Sequence, residues 1–218
     1  MPNLLSQLSS SVGDRTNAAN HAVAKICLDD PELLAQIAEG LSGENHRLAG
    51  DCAEVMTQIA MDAPEHAVPY ADRLITILDH PFTRARWEAA HALAIIAPQV
   101  AGQLRPKRAL LEHMIRSDSS IIVRDYTVDI VAELAGASKE DADWVYTVLL
   151  DCLTIWEGRH AGHALPGLGR VAEQLPGRRD EIRRNVAGLV EHPRGVVRKA
   201  SRRLLKTLDE PRAQTTAS

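Results

Sequence analysis

The chain has 218 residues, 45% hydrophobic and 25% charged, enough to bury a core and too apolar for a disordered polymer. Its formal net charge of −4 is unevenly placed: 13 Lys/Arg face 23 Asp/Glu up to residue 169, and 12 face 6 over residues 170–212. The sequence offers no stretch near the roughly 18 apolar residues of a membrane span. It offers no secretory leader, and its three isolated cysteines, Cys27, Cys52 and Cys152, form no CxxC or disulfide framework, so a reducing, cytoplasmic setting is expected.

Aromatic residues make up 3% of the chain, with a single Phe, while small and aliphatic residues abound, a palette that favours close-packed helices. Six helix pairs, A then B, follow in chain order. The first spans residues 2–29, with Leu4 and Leu8 marking its A helix and Ala19, Val23 and Ile26 its B helix. The second, 30–62, repeats this with Ile37 and Leu41, then Cys52, Met56 and Ile59. The third, 63–101, uses Leu74 and Leu78, then Ala89, Leu93 and Ile96. The fourth, 102–136, uses Leu111 and Ile115, then Thr127, Val131 and Leu134. The fifth, 137–175, uses Leu149 and Leu153, then Ala164, Leu168 and Val171, and the sixth, 176–209, Val186 and Val190, then Ser201, Leu205 and Leu208. The last apolar anchor of each B helix recurs at separations of 33, 37, 38, 37 and 37 residues. Positions 0, −3 and −7 from it share one helical face, and the small residue at −7 lets a neighbouring helix approach.

Pro31, Pro64, Pro81, Pro98, Pro106, Pro176 and Pro193 fall between predicted helices, where a missing N–H does little harm. Pro166 instead falls inside the fifth B helix among Gly162, Gly167 and Gly169, predicting a helix that is kinked, broken or short. Residues 210–218 are small and polar and are expected to be a disordered tail.

The turn LDHPFTRAR, residues 78–86, returns as VEHPRGVVR, residues 190–198. An acid in the A–B turn with an Arg entering helix B, as in Asp79 with Arg86, Asp118 with Arg124 and Glu191 with Arg198, resembles HEAT repeats of the HEAT/armadillo-like α-solenoid family. The first, second and fifth units depart from the pattern, with Arg15, Arg47 and Arg159 displaced. The resemblance covers residues 2–209 and implies an all-α, right-handed solenoid of six two-helix repeats in one domain, with B helices lining a concave groove. Asp79 and Glu191 are placed to pair with an Arg. His80 and His192 stand near the end of an A helix, where positive charge is favoured, and read as scaffolding.

The B-helix positions that face such a groove are −5 and −9. The −5 row reads His21, Glu54, His91, Asp129, Pro166, Arg203, and the −9 row Asn17, Gly50, Trp87, Asp125, Gly162, Lys199. The candidate partner-binding groove is therefore His21, Glu54, Trp87, His91, Asp125, Asp129, Lys199 and Arg203, with Trp87 as anchor. In the sixth repeat Arg179, Arg183, Arg184, Arg198, Arg202 and Lys206 form a candidate patch for an anionic partner, or else a polar cap on a terminal repeat.

Chemistry is harder to find. His91, Glu54 and Asp129 come from three helices and lack a ligand pair on one helix; His160 and His163 share a face but have no partner set. Iron-binding HEAT hydroxylases use His-Glu dipeptides, whereas this chain has the reverse order at Glu65-His66, Glu112-His113 and Glu191-His192. No phosphate-binding loop or nucleophile motif occurs, so no catalytic residue, metal or cofactor is expected. The expectation is a non-enzymatic scaffold or adaptor that holds another protein or peptide in the groove and meets an anionic surface with its last repeat. The second reading is a nucleic-acid-binding protein related to HEAT-like alkylpurine DNA glycosylases, with Trp87 and Asp125 or Asp129 near the base; the acidic groove centre opposes it.

Overall fold

A computed structural model describes residues 3–210, and every regular element among them is helical. The tail expected to be disordered lies, from residue 211 on, outside the described residues. None of the described helices is long and apolar enough to cross a membrane. The chain divides into two compact units, one running to Ile130 and one beginning at Val131.

In the first unit the helix pairs appear in the expected order. Helices α1 (Ser9–Val12) and α2 (Ala18–Asp29) form the first, α3 (Leu34–Leu41) and α4 (His46–Asp62) the second. The third comprises α5 (Pro64–Ala67), α6 (Ala71–Thr76) and α7 (Thr83–Ile96), and the fourth α8 (Ala101–Leu104), α9 (Arg108–Ser117) and the start of α10 (Ile121–Leu134). The A segments of the third and fourth repeats are split by 3-10 turns at Val68–Tyr70 and Arg105–Lys107. Each turn carries a proline, Pro69 or Pro106, whose missing N–H and ring are tolerated where one helical segment gives way to the next.

Helix α4 is the spine of this unit, buried at nearly every position from Ala49 to Ala60. Its neighbour α7 presents Ala85, Ala89 and Ala92, all buried, so the backbones come close enough for the Thr57 hydroxyl to donate to the Glu88 carbonyl at 2.9 Å. Ile59 and Ile96 are fully buried, as are Met56, Leu93, Cys52 and Ala89. The first repeat departs: Ile26 is 37% exposed and Cys27 takes its place in the core. A terminal repeat has a neighbour on one side only, so its register is less constrained. The cysteines are buried and unpaired, and burial pushes the thiols of Cys27 and Cys52 up to about 11 and about 12, leaving them as small apolar residues.

Of the turn acids, Asp118 pairs with an Arg, that of the preceding repeat. Arg86 donates to the carbonyls of His80 (2.8 Å) and Pro81 (3.2 Å), and its ion pair, at 2.9 Å, is with Asp118 of the following repeat. The arginine thus closes its own turn and ties it to the next. His80 accepts a hydrogen bond at Nδ1 from the Phe82 N–H (3.1 Å), and burial together with His46 lowers its pKa. It serves as a neutral acceptor rather than as the cation favoured by the helix end. His192 likewise accepts at Nδ1 from the Arg194 N–H at 3.2 Å, while Arg198 bonds the carbonyls of His192 and Pro193.

The second unit holds the end of α10, then α11 (Lys139–Asp151), α12 (Ile155–Gly158), α13 (Ala161–Gln174), α14 (Arg179–Ala187) and α15 (Gly195–Asp209). Ser138 caps α11, its hydroxyl accepting from the Asp141 N–H at 3.0 Å. Helix α13 runs unbroken through Pro166, whose side is exposed. The interruption lies upstream, in α12, where Trp156, Glu157 and Gly158 are all left-handed, with φ of 51°, 57° and 67°. Only the glycine adopts this backbone without strain.

Of the glycines around Pro166, Gly167 has a packing reason. A Cβ at this position would lie 2.5 Å from Leu149 Cδ1 and 2.7 Å from Ala132 Cα, so α13 touches α10 backbone to backbone. Gly167→Ala is therefore expected to destabilise the protein by about 2–3 kcal/mol through overpacking. Gly102→Ala, in α8 with nothing within 4 Å, should be neutral or stabilising by up to about 1 kcal/mol. Urea denaturation of the two variants checks both signs.

Candidate functional site

On a helix, positions −5, −8, −9 and −12 form one continuous stripe. In the first unit this stripe of α4 and α7 adds Asp51 and Glu88 at −8 and Arg84 at −12 to the residues picked out by the sequence, and α10 adds Tyr126 at −8. These side chains sort into a sealed network and an open face.

The network is buried. Arg84 pairs with Asp51 at 2.9 Å and Glu54 at 2.5 Å and donates to Asn17 Oδ1 at 3.1 Å. Asn20 donates to Asp51 (3.0 Å) and Glu54 (2.6 Å), while the Ser10 N–H donates to the second Asp51 oxygen at 2.7 Å. Asp51 is wholly buried and Glu54 nearly so. Glu54, expected as a groove acid, is thus consumed in joining the first three repeats, and its remaining reach is to exposed His21 at 3.7 Å. Gly50 is closed off by Phe82, whose Cε1 would lie 3.0 Å from an added Cβ.

The open face lies on α7 and α10. The ring of Tyr126 stacks on His91 with centroids 4.1 Å apart and planes 13° from parallel, and on Trp87 at 6.3 Å and 18°. Trp87 and His91 are one turn apart on α7, so a single tyrosine aligns both, and all three are half-buried. Burial raises the Tyr126 pKa, with the charges of Glu88, Asp129 and Asp125 adding to it, which places three carboxylates around the ring. Burial lowers the His91 pKa against the opposing pull of Asp129, leaving the imidazole neutral for stacking. Glu88 is buried behind this face. Burial pushes its carboxyl up to about 7, a Thr57 hydrogen bond restrains the rise, and Glu54 and Arg84 act in opposite directions.

In the second unit, the basic residues divide by use. Arg179 donates to the carbonyls of Thr207, Leu208 and Glu210, and Arg183 to that of Leu208 and to the Asp209 carboxylate, so both cap the end of α15. Arg198 closes the A–B turn, and Arg202 reaches the Val190 carbonyl at 3.3 Å. Arg178 lies over the Tyr146 ring at 4.7 Å and pairs with Glu181 at 3.0 Å. Four of the six residues in the expected anionic-partner patch are thereby tied to backbone carbonyls. Lys199, Arg203 and Lys206 are exposed on α15 at one- and two-turn spacing, and no side chain among the described residues pairs with them.

Lys199 and Arg203 border a cavity of about 540 Å³ between α13 and α15, floored by Leu165, Pro166, Gly169, Val196, Ala200 and Leu204. Arg170 on the opposite wall is paired with Glu133, and Glu173 lies beside it. Buried His160 opens α13, with His163 half-buried a turn on. Among the described residues no group of three or more His, Cys, Asp or Glu side chains is arranged to hold a metal ion.

No family model and no curated protein matches this chain. Solved structures do. A designed armadillo repeat protein in complex with the peptide (KR)4 is similar with a TM-score of 0.72 at 16% identity, covering 95% of this chain and 99% of that one. A computationally designed armadillo repeat protein for modular peptide recognition gives 0.69 at 16% identity, covering 94% and 98%, and an engineered protein 0.69 at 18%, covering 96% and 99%. The chain has the armadillo/HEAT-like helical-repeat fold, an all-α solenoid architecture.

Two consequences can be measured. Glu88 has its ordinary value near 4.5 when unfolded and titrates near 7 when folded, so the folded state holds the extra proton between them and stability falls as pH rises through this window. Glu88→Gln should therefore leave stability unchanged at pH 4 and raise it by on the order of 1–3 kcal/mol at pH 8, read from melting curves across pH. Arg179→Ala, which strips three carbonyls at the end of α15 of their donor, should cost about 1–2 kcal/mol, whereas Lys206→Ala should stay within about 0.5 kcal/mol by the same assay.

Proposed function

We propose that this protein is a non-enzymatic binding scaffold and that the α7–α10 face of its first unit takes a peptide segment of a partner protein. The observation that carries the reading is the Trp87–Tyr126–His91 stack with Asp125 and Asp129 beside it. Aligned aromatic faces ringed by carboxylates suit the alkyl stem and charged head of lysine or arginine, through cation–π contact and charge-assisted hydrogen bonds. The fold is that of designed armadillo proteins, one of them bound to the alternating basic peptide (KR)4, which supports a cationic segment as ligand. The carboxylates speak against the alternative of a nucleic acid on this face, because they repel phosphates. A separate contact with an anionic surface is assigned to the sixth repeat, now narrowed to Lys199, Arg203 and Lys206.

A fluorescein-labelled eight-residue Lys/Arg peptide titrated against the intact chain tests this by anisotropy. It should bind, while a Glu/Asp counterpart should not compete. Trp87→Ala and Asp125→Asn/Asp129→Asn should each weaken binding about tenfold or more, a loss of about 1.4 kcal/mol or greater. Equal binding by wild type and both variants would exclude this face.

A further inference from the structure

We propose that the α13–α15 cavity of the second unit is a docking site in its own right, and that its occupant is an acidic peptide segment anchored by large aliphatic side chains. The inference rests on reading the sixth repeat as a contact surface and adds the recess, its occupant and its chemistry.

The cavity is built from two helical stripes. On α15 it takes Val196, Lys199, Ala200, Arg203, Leu204 and Thr207, spaced 3, 1, 3, 1 and 3 residues apart, a single face. Val196 to Thr207 spans eleven residue steps, about 16 Å of helix, so the recess is a trough rather than a hole. Small residues keep it open: Ala200 lies in the floor on one side and Gly169 on the other, where an added Cβ would already touch Leu204 Cδ1 at 3.4 Å. Pro166 contributes an apolar ring at an exposed helical position that a hydrogen-bonded residue would normally hold.

Three features together select the occupant. The floor is aliphatic and Val196 is 62% exposed, so there is apolar surface to cover. The two cations on the rim are those the scaffold does not use, in contrast to Arg179, Arg183, Arg198 and Arg202, which bond carbonyls of their own chain. On the opposite wall Arg170 is already paired with Glu133, so the uncommitted positive charge of the rim lies on the α15 side. A ligand that satisfies both floor and rim must carry aliphatic side chains with carboxylates one helical turn apart. The chain's own EPRAQTTAS segment does not qualify, having one acid, one base and no large aliphatic residue.

The test uses the intact chain and a labelled twelve-residue peptide of Glu and Leu at helical spacing. Its controls are a Leu→Ser version, a Glu→Lys version, and vesicles of phosphatidylcholine with phosphatidylserine. The Glu/Leu peptide should bind and the Leu→Ser peptide should bind at least about tenfold more weakly. Lys199→Glu/Arg203→Glu should abolish binding of the Glu/Leu peptide and, in a Trp87→Ala/Asp125→Asn/Asp129→Asn background that silences the first unit's face, create binding of the Glu→Lys peptide. Ala200→Trp, which fills the floor, should block the acidic peptide; Val196→Glu, at an exposed site that folding tolerates, should weaken it if the tryptophan variant fails to fold. Trp87→Ala should leave it unchanged, so the two sites stand or fall apart. Equal binding of the Leu→Ser peptide, or no effect of either floor variant, would reduce the trough to a plain charged surface and overturn the proposal. Vesicle binding with no peptide binding would overturn it in favour of a lipid.

Discussion

A pair of amphipathic helices has to hide its apolar stripe against the next pair, and this requirement decides which side-chain rows are left for anything else. Rows 0, −3 and −7 of the B helices go to the core, with fully buried Ile59, Ile96, Leu134 and Val171 at the anchor and small residues such as Ala89 and Ala164 where helices touch. The turns follow from the same demand. Arg86 can close its own turn and still reach Asp118 of the following pair because packing brings the two turns within the span of one guanidinium. Pairing across repeats makes this turn a connector.

The repeat was legible because core rows are apolar and periodic, and periodicity survives any local exception. The departures fall where the physics weakens, at Ile26 and at half-buried Leu205 and Val190, in repeats with a neighbour on only one side. The candidate face is less legible. Rows −5 and −9 are half of a four-row stripe, so they pick out Trp87, His91, Asp125 and Asp129 but not Tyr126, whose ring stacks on Trp87 and His91. Its signal was an aromatic one step along from Asp125. Glu54 and Arg179 show a second limit: sequence gives a side chain its face, whereas its partner depends on neighbours a repeat away or more, here Arg84 and the end of α15.

The first unit also carries an electrostatic imbalance that its fold tolerates locally. Two buried carboxylates share one guanidinium, and the remaining lone pairs are met by Asn20 and the Ser10 N–H, as buried charge requires. Glu88, one helix on, has no comparable set of donors, and its carboxyl holds its proton to about 7 instead. Carboxyl groups at the same row of successive helices, Asp51 and Glu88, thus meet different surroundings: one is paired with Arg84, and burial pushes the other up to about 7.

The arginines that cap helix ends bear on how the molecule is met from a distance. By composition the last repeat is strongly basic, and a uniform cationic end would draw in any polyanion. Arg179 and Arg183 instead sit against the backbone carbonyls at the end of α15, an end equivalent to about half a negative charge, which partly cancels their field. What remains to act across solvent includes Lys199, Arg203 and Lys206 along one side of α15 and exposed Arg184 on α14. Beyond a Debye length of about 8 Å at physiological salt this part of the molecule is a weak attractor, and an approaching partner is sorted by direction more than by charge alone.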